Sequence, residues 1–200
     1  MATSTDLATS TNTATFLPPV EKPKSLFLRM GYYFMKKKFG KIMTPLSVFS
    51  ARMPTAFTLF YGKIGKLDKK LKLSPDTARL LRQRVASING CLYCMDTNRA
   101  AALDKSMENE AKYDALGQYR TSRLFTGAER SALDYATELT ANRAVDRDTF
   151  AQLSRHYNER EICDIVWVVA SEHLYNINNI GLNIGSDGFC AISAKKRSPK

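Results

Sequence analysis

The sequence predicts one all-α domain that carries additional residues at its N-terminal end. Its 200 residues are 44% hydrophobic and 24% charged, a balance typical of a single globular domain with a sizeable core. Apolar residues recur at helical spacing over much of the second half, and no alternating pattern of convincing strand length occurs. N-cap signals precede several of these segments. We therefore expect a helical bundle.

The chain divides into segments of different composition. Residues 1–23 contain three prolines and little apolar periodicity, which predicts a flexible leader. Residues 24–72 form a basic and aromatic arm. Residues 1–72 hold 13 Lys and Arg against three Asp and Glu, so most of the formal charge of +11 lies there. We expect a helical domain over residues 73–190 and a basic tail over residues 191–200.

The concentration of positive charge near the N-terminus bears on the choice of partner. The run Lys36–Lys38 lies among aromatic residues and could contact a nucleic acid or an anionic membrane surface. We favour an exposed basic face over buried aromatics, because long basic side chains commonly cover apolar helix surface. The arm of residues 24–72 is expected to pack on the domain or to dock a partner.

The sequence shows neither a membrane span nor a secretory signal. The most apolar stretch, Ile42–Gly62, is interrupted by Pro45, Arg52 and Pro54, whereas a span needs about 18 uninterrupted apolar residues. The first residues lack the basic start and the apolar run of a secretory signal. We therefore expect a cytoplasmic protein whose four cysteines are reduced by default.

Helix start and stop signals define the first elements of the domain. Ser74 is a suitable N-cap and Pro75 suits the first helical position. The pair Asn89 and Gly90 marks the end of that helix. A second helix is expected to start near Cys91 and to continue through the alanine-rich residues 99–103.

Three further helices are expected after residue 125. Thr126–Glu129 has the form of a capping box, and Asp146 could cap the next helix. The segment Arg160–Ile177 is apolar nearly all round, so it is expected to cross the centre of the fold. The residues expected in register on one face of this helix are Ile162, Val166, Val169 and His173.

Two cysteines stand three residues apart at the expected start of the second helix. At this spacing Cys91 and Cys94 can approach closely enough to form a disulfide. Free backbone N–H groups and the helix dipole stabilise a thiolate there and lower the pKa of the thiol from about 8.5. A thiolate can attack a peroxide oxygen or a disulfide, and its neighbour can resolve the product.

Other interpretations of the pair are a zinc site and two inert buried thiols. Zinc prefers four ligands, and the remaining cysteines and histidines lack the spacing of a metal-binding motif, so no metal site is expected. A thioredoxin-type site requires a βαβ setting, which an all-α chain does not have. The inert pair stays open, because this spacing alone does not establish reactivity. The remaining candidate ligands are Cys163, Cys190, His156 and His173.

The sequence around the cysteine pair resembles a known family. Residues 80–96 read Leu-Leu-Arg-Gln-Arg-Val-Ala-Ser-Ile-Asn-Gly-Cys-Leu-Tyr-Cys-Met-Asp. They resemble the core motif of the carboxymuconolactone decarboxylase superfamily, in its alkylhydroperoxidase D-like branch. Residues 125–136 and the helix ending at Asn176–Asn179 are also similar to that family. The resemblance implies an all-α fold, usually assembled into trimers or hexamers, and a thiol-dependent peroxidase activity that uses no bound cofactor.

The resemblance also implies residue roles. Cys94 matches the cysteine that attacks the peroxide, and Cys91 matches the more exposed partner that closes the disulfide and meets the reductant. Arg79 and Asn98 occupy the positions of the family's glutamate and histidine relay, and neither can act as a base near neutral pH. Arg79 could favour a thiolate if its side chain reaches the site; otherwise it is an exposed helix residue. Asn98 could hold the helix start or a water.

Glu172 and His173 are candidate replacements for the missing relay. They are neighbours on the helix that is expected to cross the centre of the fold. For His173 the ordinary alternative is a core histidine that is hydrogen-bonded to a backbone carbonyl. His156 is expected to be exposed.

The sequence therefore predicts a self-associating thiol-dependent peroxidase in which Cys94 reduces a hydroperoxide and Cys91 resolves the product. An external dithiol or a thioredoxin-like protein would regenerate the pair. One alternative is a family member without the relay that binds a ligand or partner through the arm. Another is a lyase acting on a carboxylated lactone, which would need acid–base groups and a cationic anchor rather than paired thiols.

Overall fold

The structure is a computed structural model that describes residues 14–103 and 107–192. Within these ranges the regular secondary structure is helical and contains no strand, which confirms the predicted all-α class. The α-helices are α1 (Leu26–Phe39), α2 (Gly62–Asp68), α3 (Pro75–Asn89), α4 (Leu92–Leu103), α5 (Met107–Asp114), α6 (Gly127–Asn142), α7 (Arg147–Ser154) and α8 (Glu159–Ile180). Two π-helical segments, Leu46–Ser50 and Ala56–Tyr61, and a 3-10 turn, Leu116–Gln118, lie between them.

Helix α3 begins and ends where the sequence predicts. The Thr77 backbone N–H donates to Ser74 Oγ at 3.3 Å, and Pro75 is the first helical residue. Gly90 follows the helix with a φ of 71°, the left-handed conformation that glycine adopts without steric cost. The predicted N-cap and stop signal of α3 are both confirmed.

Helices α6 and α7 start at the predicted N-cap residues, and α8 starts at a further capping box. Thr126 and Glu129 form the predicted capping box at the start of α6. Asp146 is the N-cap residue of α7, although its side chain makes no capping hydrogen bond. Asn158 and Glu161 form a second capping box, so α8 begins at Glu159 and extends to Ile180. The long helix expected from its apolar composition is therefore present, with a start that its N-cap residue determines.

The main core lies where α3 packs against α6 and α8. Full burial of an aliphatic side chain stabilises the fold by about 1.5–3 kcal/mol relative to exposure. The largest side chains buried in this core include Leu81, Val85, Leu133, Leu153 and Ile165. No helix in the two described ranges is long and apolar enough to cross a lipid bilayer.

The buried face of α8 differs from the predicted one. Ile162 and Val169 are buried as expected, but Val166 is 40% exposed. The first half of this helix is apolar nearly all round, so periodicity alone does not select a face, and the contact with α3 selects it instead. The buried residues of this helix are Ile162, Asp164, Ile165, Val168, Val169, Ser171, Glu172, Asn176 and Asn179.

Residues 14–23, part of the predicted flexible leader, make specific contacts. The Phe16 backbone N–H donates to the Leu182 carbonyl at 3.1 Å, and the Val20 N–H donates to the Ser47 carbonyl at 2.9 Å. The Tyr32 hydroxyl donates to the Val20 carbonyl at 2.8 Å. Backbone groups of this part therefore pair with the rest of the chain without any apolar periodicity. Residues 1–13 of the leader and 193–200 of the predicted tail lie outside the described residues.

The arm packs through one face of α1 and exposes another. Leu28 and Tyr32 of α1 are buried with Leu46 in a small apolar cluster. The opposite face of α1 is apolar and more than half exposed, and Lys36–Lys38 are exposed beside it. The prediction that basic side chains cover buried aromatics is therefore wrong for this face. Its exposed residues are Leu26, Phe27, Met30, Tyr33 and Phe34.

Candidate functional site

The junction of α3 and α4 places the two cysteines side by side. The left-handed Gly90 turns the chain, and the Cys91 backbone N–H donates to the Ala86 carbonyl at 3.0 Å. Cys91 and Cys94 form a disulfide with their Cα atoms 5.3 Å apart. The three-residue spacing at a helix start therefore brings the two sulfurs together, as the sequence predicts. Cys163 and Cys190 are free.

The two cysteines differ in what surrounds them. Cys91 is 1% exposed, and both cysteines belong to an apolar cluster with Val48, Ala86 and Ile184. Cys94 is 4% exposed and lines a cavity, whereas Cys91 is not among the residues that line it. The expectation that Cys91 is the more exposed partner is wrong for this chain, since residues distant in the sequence cover it.

The carboxamide of Asn179 lies against the disulfide. Its Nδ2 atom is 3.3 Å from Cys94 Sγ and 3.9 Å from Cys91 Sγ, and the residue is buried. The Cys94 backbone N–H donates to Cys91 Sγ at 3.3 Å. A hydrogen bond donated to sulfur stabilises the thiolate over the thiol. Each sulfur therefore has a donor that would stabilise its thiolate after reduction, and the side-chain donor is nearer to Cys94.

A cavity of about 460 Å³ lies beside Cys94. This volume suits a small molecule. One side of the cavity comes from α3, α4 and α8, and the other side comes from the arm. The arm contributes the mostly apolar residues Met35, Met43, Pro45, Leu46 and Tyr61.

A hydrogen-bonded charge network forms the polar end of the cavity. Arg82 donates to Asp68 Oδ2 at 2.9 Å and to Glu172 Oε2 at 3.3 Å. Glu172 Oε1 accepts from Asn176 Nδ2 at 2.8 Å and from Asn98 Nδ2 at 3.4 Å. Burial raises the pKa of Glu172 above its ordinary range, although Arg82 and the two amides act in the opposite direction.

An aromatic pair forms another part of the cavity wall. The rings of Tyr61 and Tyr175 are stacked with centroids 5.3 Å apart and an interplanar angle of 20°. The Asn178 amide donates to the Tyr61 hydroxyl. Burial raises the pKa of Tyr175 to about 12 and also raises the pKa of Tyr61. Both phenols are therefore neutral at physiological pH and present an uncharged flat surface.

Of the predicted auxiliary residues, Asn98 and Glu172 line the cavity and contact each other. Arg79 is not among the lining residues, and its guanidinium pairs with Asp76. Arg82, about one helical turn further along α3, supplies the positive charge instead. The proposed action of Arg79 on the thiolate is therefore not supported, because its side chain is committed near the start of α3.

His173 lies outside the cavity lining, so its predicted role as a relay replacement is not supported. Its Nδ1 atom is 3.0 Å from Asn89 Nδ2, and its Nε2 atom is 3.0 Å from an Arg143 guanidinium nitrogen. Burial and the charge of Arg143 lower the pKa of His173 from its ordinary value of 6.5. Consecutive helix residues point about 100° apart, so a helix that directs Glu172 to the cavity directs His173 elsewhere. His156 is exposed, as predicted.

Sequence reasoning missed Arg82, Asn179 and the tyrosine pair as site residues. A signal for Asn179 was present, since Glu172, Asn176 and Asn179 follow one another at helical spacing on a mostly apolar helix. Polar residues on a buried stripe need partners. Their alignment therefore indicates a polar site, although it does not identify the partners.

The fold and the site together define a class of protein: an all-helical protein that holds a cysteine pair at a helix start, with one cysteine at a mostly apolar cavity. Residues 50–138 of the chain match the model of the carboxymuconolactone decarboxylase family. The family resemblance predicted from the sequence is confirmed.

Relatives and solved structures extend the similarity over most of the chain. YnjA, an uncharacterized protein of Escherichia coli, is 26% identical over 182 residues, which cover 90% of this chain and 98% of YnjA. A crystal structure of a cysteine-to-alanine variant of the debrominase Bmp8 in complex with 2,3,4-tribromopyrrole has a TM-score of 0.75 at 20% identity, and the match covers 92% of this chain and 97% of that chain. A peroxidase-related protein of Ralstonia eutropha with an alkylhydroperoxidase AhpD core has a TM-score of 0.72 at 21% identity, and the match covers 93% of this chain and 98% of that chain. The solved structures share the all-helical fold of this chain.

Proposed function

We propose that this protein is a thiol-dependent oxidoreductase that reduces hydroperoxides, with Cys94 as the nucleophile and Cys91 as the resolving cysteine. The observation that carries the proposal is the position of Cys94. It lines the cavity, and Asn179 Nδ2 lies 3.3 Å from its sulfur. A substrate in the cavity meets Cys94, and the buried amide stabilises the reactive thiolate. The fold shared with a peroxidase-related protein agrees with this chemistry.

The reaction proceeds in two balanced steps. The Cys94 thiolate attacks the distal oxygen of the hydroperoxide, so that an S–O bond forms, the O–O bond breaks and the alkoxide leaves as an alcohol after taking a proton. The Cys91 thiolate then attacks the Cys94 sulfenic acid, so that the S–S bond forms and the hydroxyl leaves as water. Overall, one hydroperoxide is reduced to an alcohol and water, and two thiols are oxidised to the disulfide.

Glu172 replaces the acid–base function that Arg79 and Asn98 cannot supply. It lines the same cavity as Cys94, and burial raises its pKa. Such a carboxyl can accept the thiol proton and return it to the leaving alkoxide. Arg82 and Asn98 hold the carboxyl at the cavity through their hydrogen bonds.

A stoichiometric oxidation tests the proposal. Reduced protein receives one equivalent of cumene hydroperoxide, and mass spectrometry follows the Cys91–Cys94 disulfide. Cys94→Ser is expected to abolish consumption, and Cys91→Ser is expected to accumulate a sulfenic acid that dimedone traps. Cys163→Ser is the matched control, because it removes an exposed free thiol and leaves the pair intact. If Cys94→Ser consumes the hydroperoxide at the wild-type rate, the proposal is wrong.

A second candidate function is the reductive removal of a halogen from an aromatic ring. The stacked Tyr61 and Tyr175 offer a flat surface to an aromatic ligand, and the debrominase Bmp8 shares the fold. In this reaction a C–H bond replaces the carbon–halogen bond, the halide and one proton leave, and the two thiols become the disulfide. Bromide release from 2,3,4-tribromopyrrole by the reduced protein, lost in Cys94→Ser, would favour this function over hydroperoxide reduction.

The lyase alternative has less support from the site. A carboxylated lactone would need a cationic anchor, and Arg82 at the cavity already pairs with Asp68 and Glu172. Lactone turnover that survives replacement of both Cys91 and Cys94 by alanine would restore this alternative.

The arm supports a separate proposal about association. The exposed apolar face of α1 is the surface through which we expect copies of the chain to associate. Size-exclusion chromatography with light scattering should show a smaller assembly for the double variant Phe27→Ser and Phe34→Ser. An assembly unchanged in mass would refute the use of this face. If the arm instead binds another partner through its basic residues, that binding should weaken as the salt concentration rises.

A further inference from the structure

Regeneration of the disulfide is a separate problem from its formation. Resting on the proposed function, we propose that the reductant is a small thiol that enters the same cavity as the oxidising substrate and attacks Cys94, not Cys91. The family resemblance implied the opposite order, with Cys91 as the exposed partner that meets the reductant. It also left a thioredoxin-like protein as a donor.

The two sulfurs differ in their access to an incoming thiol. Thiol–disulfide exchange depends on which sulfur the incoming thiolate can reach. Both cysteines are buried in one apolar cluster, but Cys91 is 1% exposed and is not among the cavity-lining residues. Cys94 lines the cavity. A thiolate in the cavity therefore meets Cys94 Sγ.

The volume of the cavity beside Cys94 limits the size of the thiol that can enter it. The cavity holds about 460 Å³, and the arm residues Met35, Met43 and Leu46 form one of its sides. A small-molecule thiol fits such a volume. A folded protein is much larger than this volume and cannot enter the cavity as a whole.

Each cysteine that leaves as a thiolate during reduction lies beside a hydrogen-bond donor. In the first exchange the small thiolate forms an S–S bond with Cys94, the protein disulfide breaks, and Cys91 leaves as a thiolate that accepts the Cys94 backbone N–H at 3.3 Å. In the second exchange another thiolate attacks the sulfur of the bound small molecule. Cys94 then leaves as a thiolate beside Asn179 Nδ2. The products are the reduced protein and the oxidised small thiol, so electrons and protons balance.

One cavity for both reactants has a kinetic consequence. Oxidant and reductant cannot occupy the site together, so each competes with the other for the cavity. We expect ping-pong kinetics in which excess small thiol inhibits competitively against the hydroperoxide.

The decisive experiment identifies the sulfur that carries the first adduct. Oxidised full-length protein is mixed with 2-mercaptoethanol, quenched with acid at early times, and labelled with N-ethylmaleimide before peptide mass spectrometry. The expected product carries mercaptoethanol on Cys94 and maleimide on Cys91. A first adduct on Cys91 would overturn the proposal.

A second measurement tests the route by size. Dithiothreitol is expected to reduce the oxidised protein, whereas reduced thioredoxin at equal dithiol concentration is expected to be slower by about tenfold or more. Met43→Trp narrows the cavity and should slow dithiothreitol by about tenfold, as overpacking of a confined space predicts. Met53→Trp is the matched control, because Met53 is exposed and is not among the lining residues. Met35→Trp narrows the same cavity from α1 and serves if Met43→Trp fails to fold.

These measurements start from the oxidised protein and use no hydroperoxide. Their results therefore do not depend on whether the protein reduces hydroperoxides. The oxidation assay, in turn, does not depend on whether the reductant enters the same cavity. If thioredoxin reduces the disulfide as fast as dithiothreitol does, and if narrowing the cavity does not change either rate, the proposal that the reductant enters this cavity is refuted.

Discussion

Replacing Asn179 with leucine is expected to raise the pKa of the Cys94 thiol. The measurement uses a protein that also carries Cys91→Ser, so that Cys94 is a free thiol. In the wild-type structure the buried Asn179 Nδ2 is 3.3 Å from Cys94 Sγ. Leucine has a similar size but donates no hydrogen bond. The charged form of Cys94 therefore loses its side-chain donor while the volume of the site is preserved.

The size of the effect follows from the strength of a charged hydrogen bond. Such a bond contributes about 1.5–3 kcal/mol, and each pKa unit corresponds to about 1.36 kcal/mol. The pKa of Cys94 should therefore rise by about 1 to 2, which lowers the thiolate fraction near neutral pH by about 10- to 100-fold. A more basic thiolate is a better nucleophile with a Brønsted coefficient of about 0.4–0.5, so the attack rate falls by only about 3- to 16-fold.

The assay is the rate of iodoacetamide alkylation across the titration of the thiol. Asn178→Leu in the same background is the matched control, since Asn178 lines the same cavity but donates to the Tyr61 hydroxyl. Circular dichroism verifies that each variant is folded. An unchanged pKa in Asn179→Leu, or an equal rise in Asn178→Leu, would refute the assignment of Asn179 as the residue that stabilises the thiolate.

Three further predictions concern stability and its pH dependence. Thr126→Ala removes the bond from the Glu129 N–H to Thr126 Oγ1 at 3.1 Å and should cost about 1 kcal/mol, seen as a Tm lowered by about 2–4 °C; an unchanged Tm would contradict the cap. Leu133→Ala removes a fully buried core side chain and should lower the free energy of unfolding by about 2–5 kcal/mol in a urea titration, and a loss below about 1 kcal/mol would contradict the packing. Because burial raises the pKa of Glu172 above 4.5, the folded protein binds this proton more tightly than the unfolded chain, so stability falls as pH rises from 4.5 toward the raised value. Glu172→Gln should remove that part of the slope in unfolding measured across this window, and a slope identical to that of the wild type would contradict the raised pKa.

Much of the local architecture could be predicted from residue patterns. Ser74 and Pro75 start α3, Gly90 ends it, and Thr126 with Glu129 starts α6, as expected. These signals act between residues at most four positions apart, so they are readable without knowledge of the tertiary structure. The proximity of Cys91 and Cys94 belongs to the same category.

The predictions that failed depend on orientation or on distant contacts. Val166 was assigned to the buried face of α8 and is exposed, because an almost uniformly apolar segment contains no periodic signal to orient it. Arg79 occupies a motif position that matters only if its side chain reaches the site; the side chain pairs with Asp76 instead, and Arg82 is the arginine at the cavity. The two arginines lie about one helical turn apart on α3, and only Arg82 lines the cavity.

Residue patterns alone predict that this chain is helical, where α3 begins and ends, where α6 begins, and that two cysteines share one helical turn. That Cys94 lies at the cavity, that Cys91 is covered, and that Asn179 and Glu172 lie at the site follows from how distant segments pack. These two groups of features differ in the range of the interactions that produce them. Helix propensity, capping and thiol spacing act over a few residues, whereas the contact between Asn179 and Cys94 joins residues 85 positions apart and depends on how α3, α4 and α8 pack.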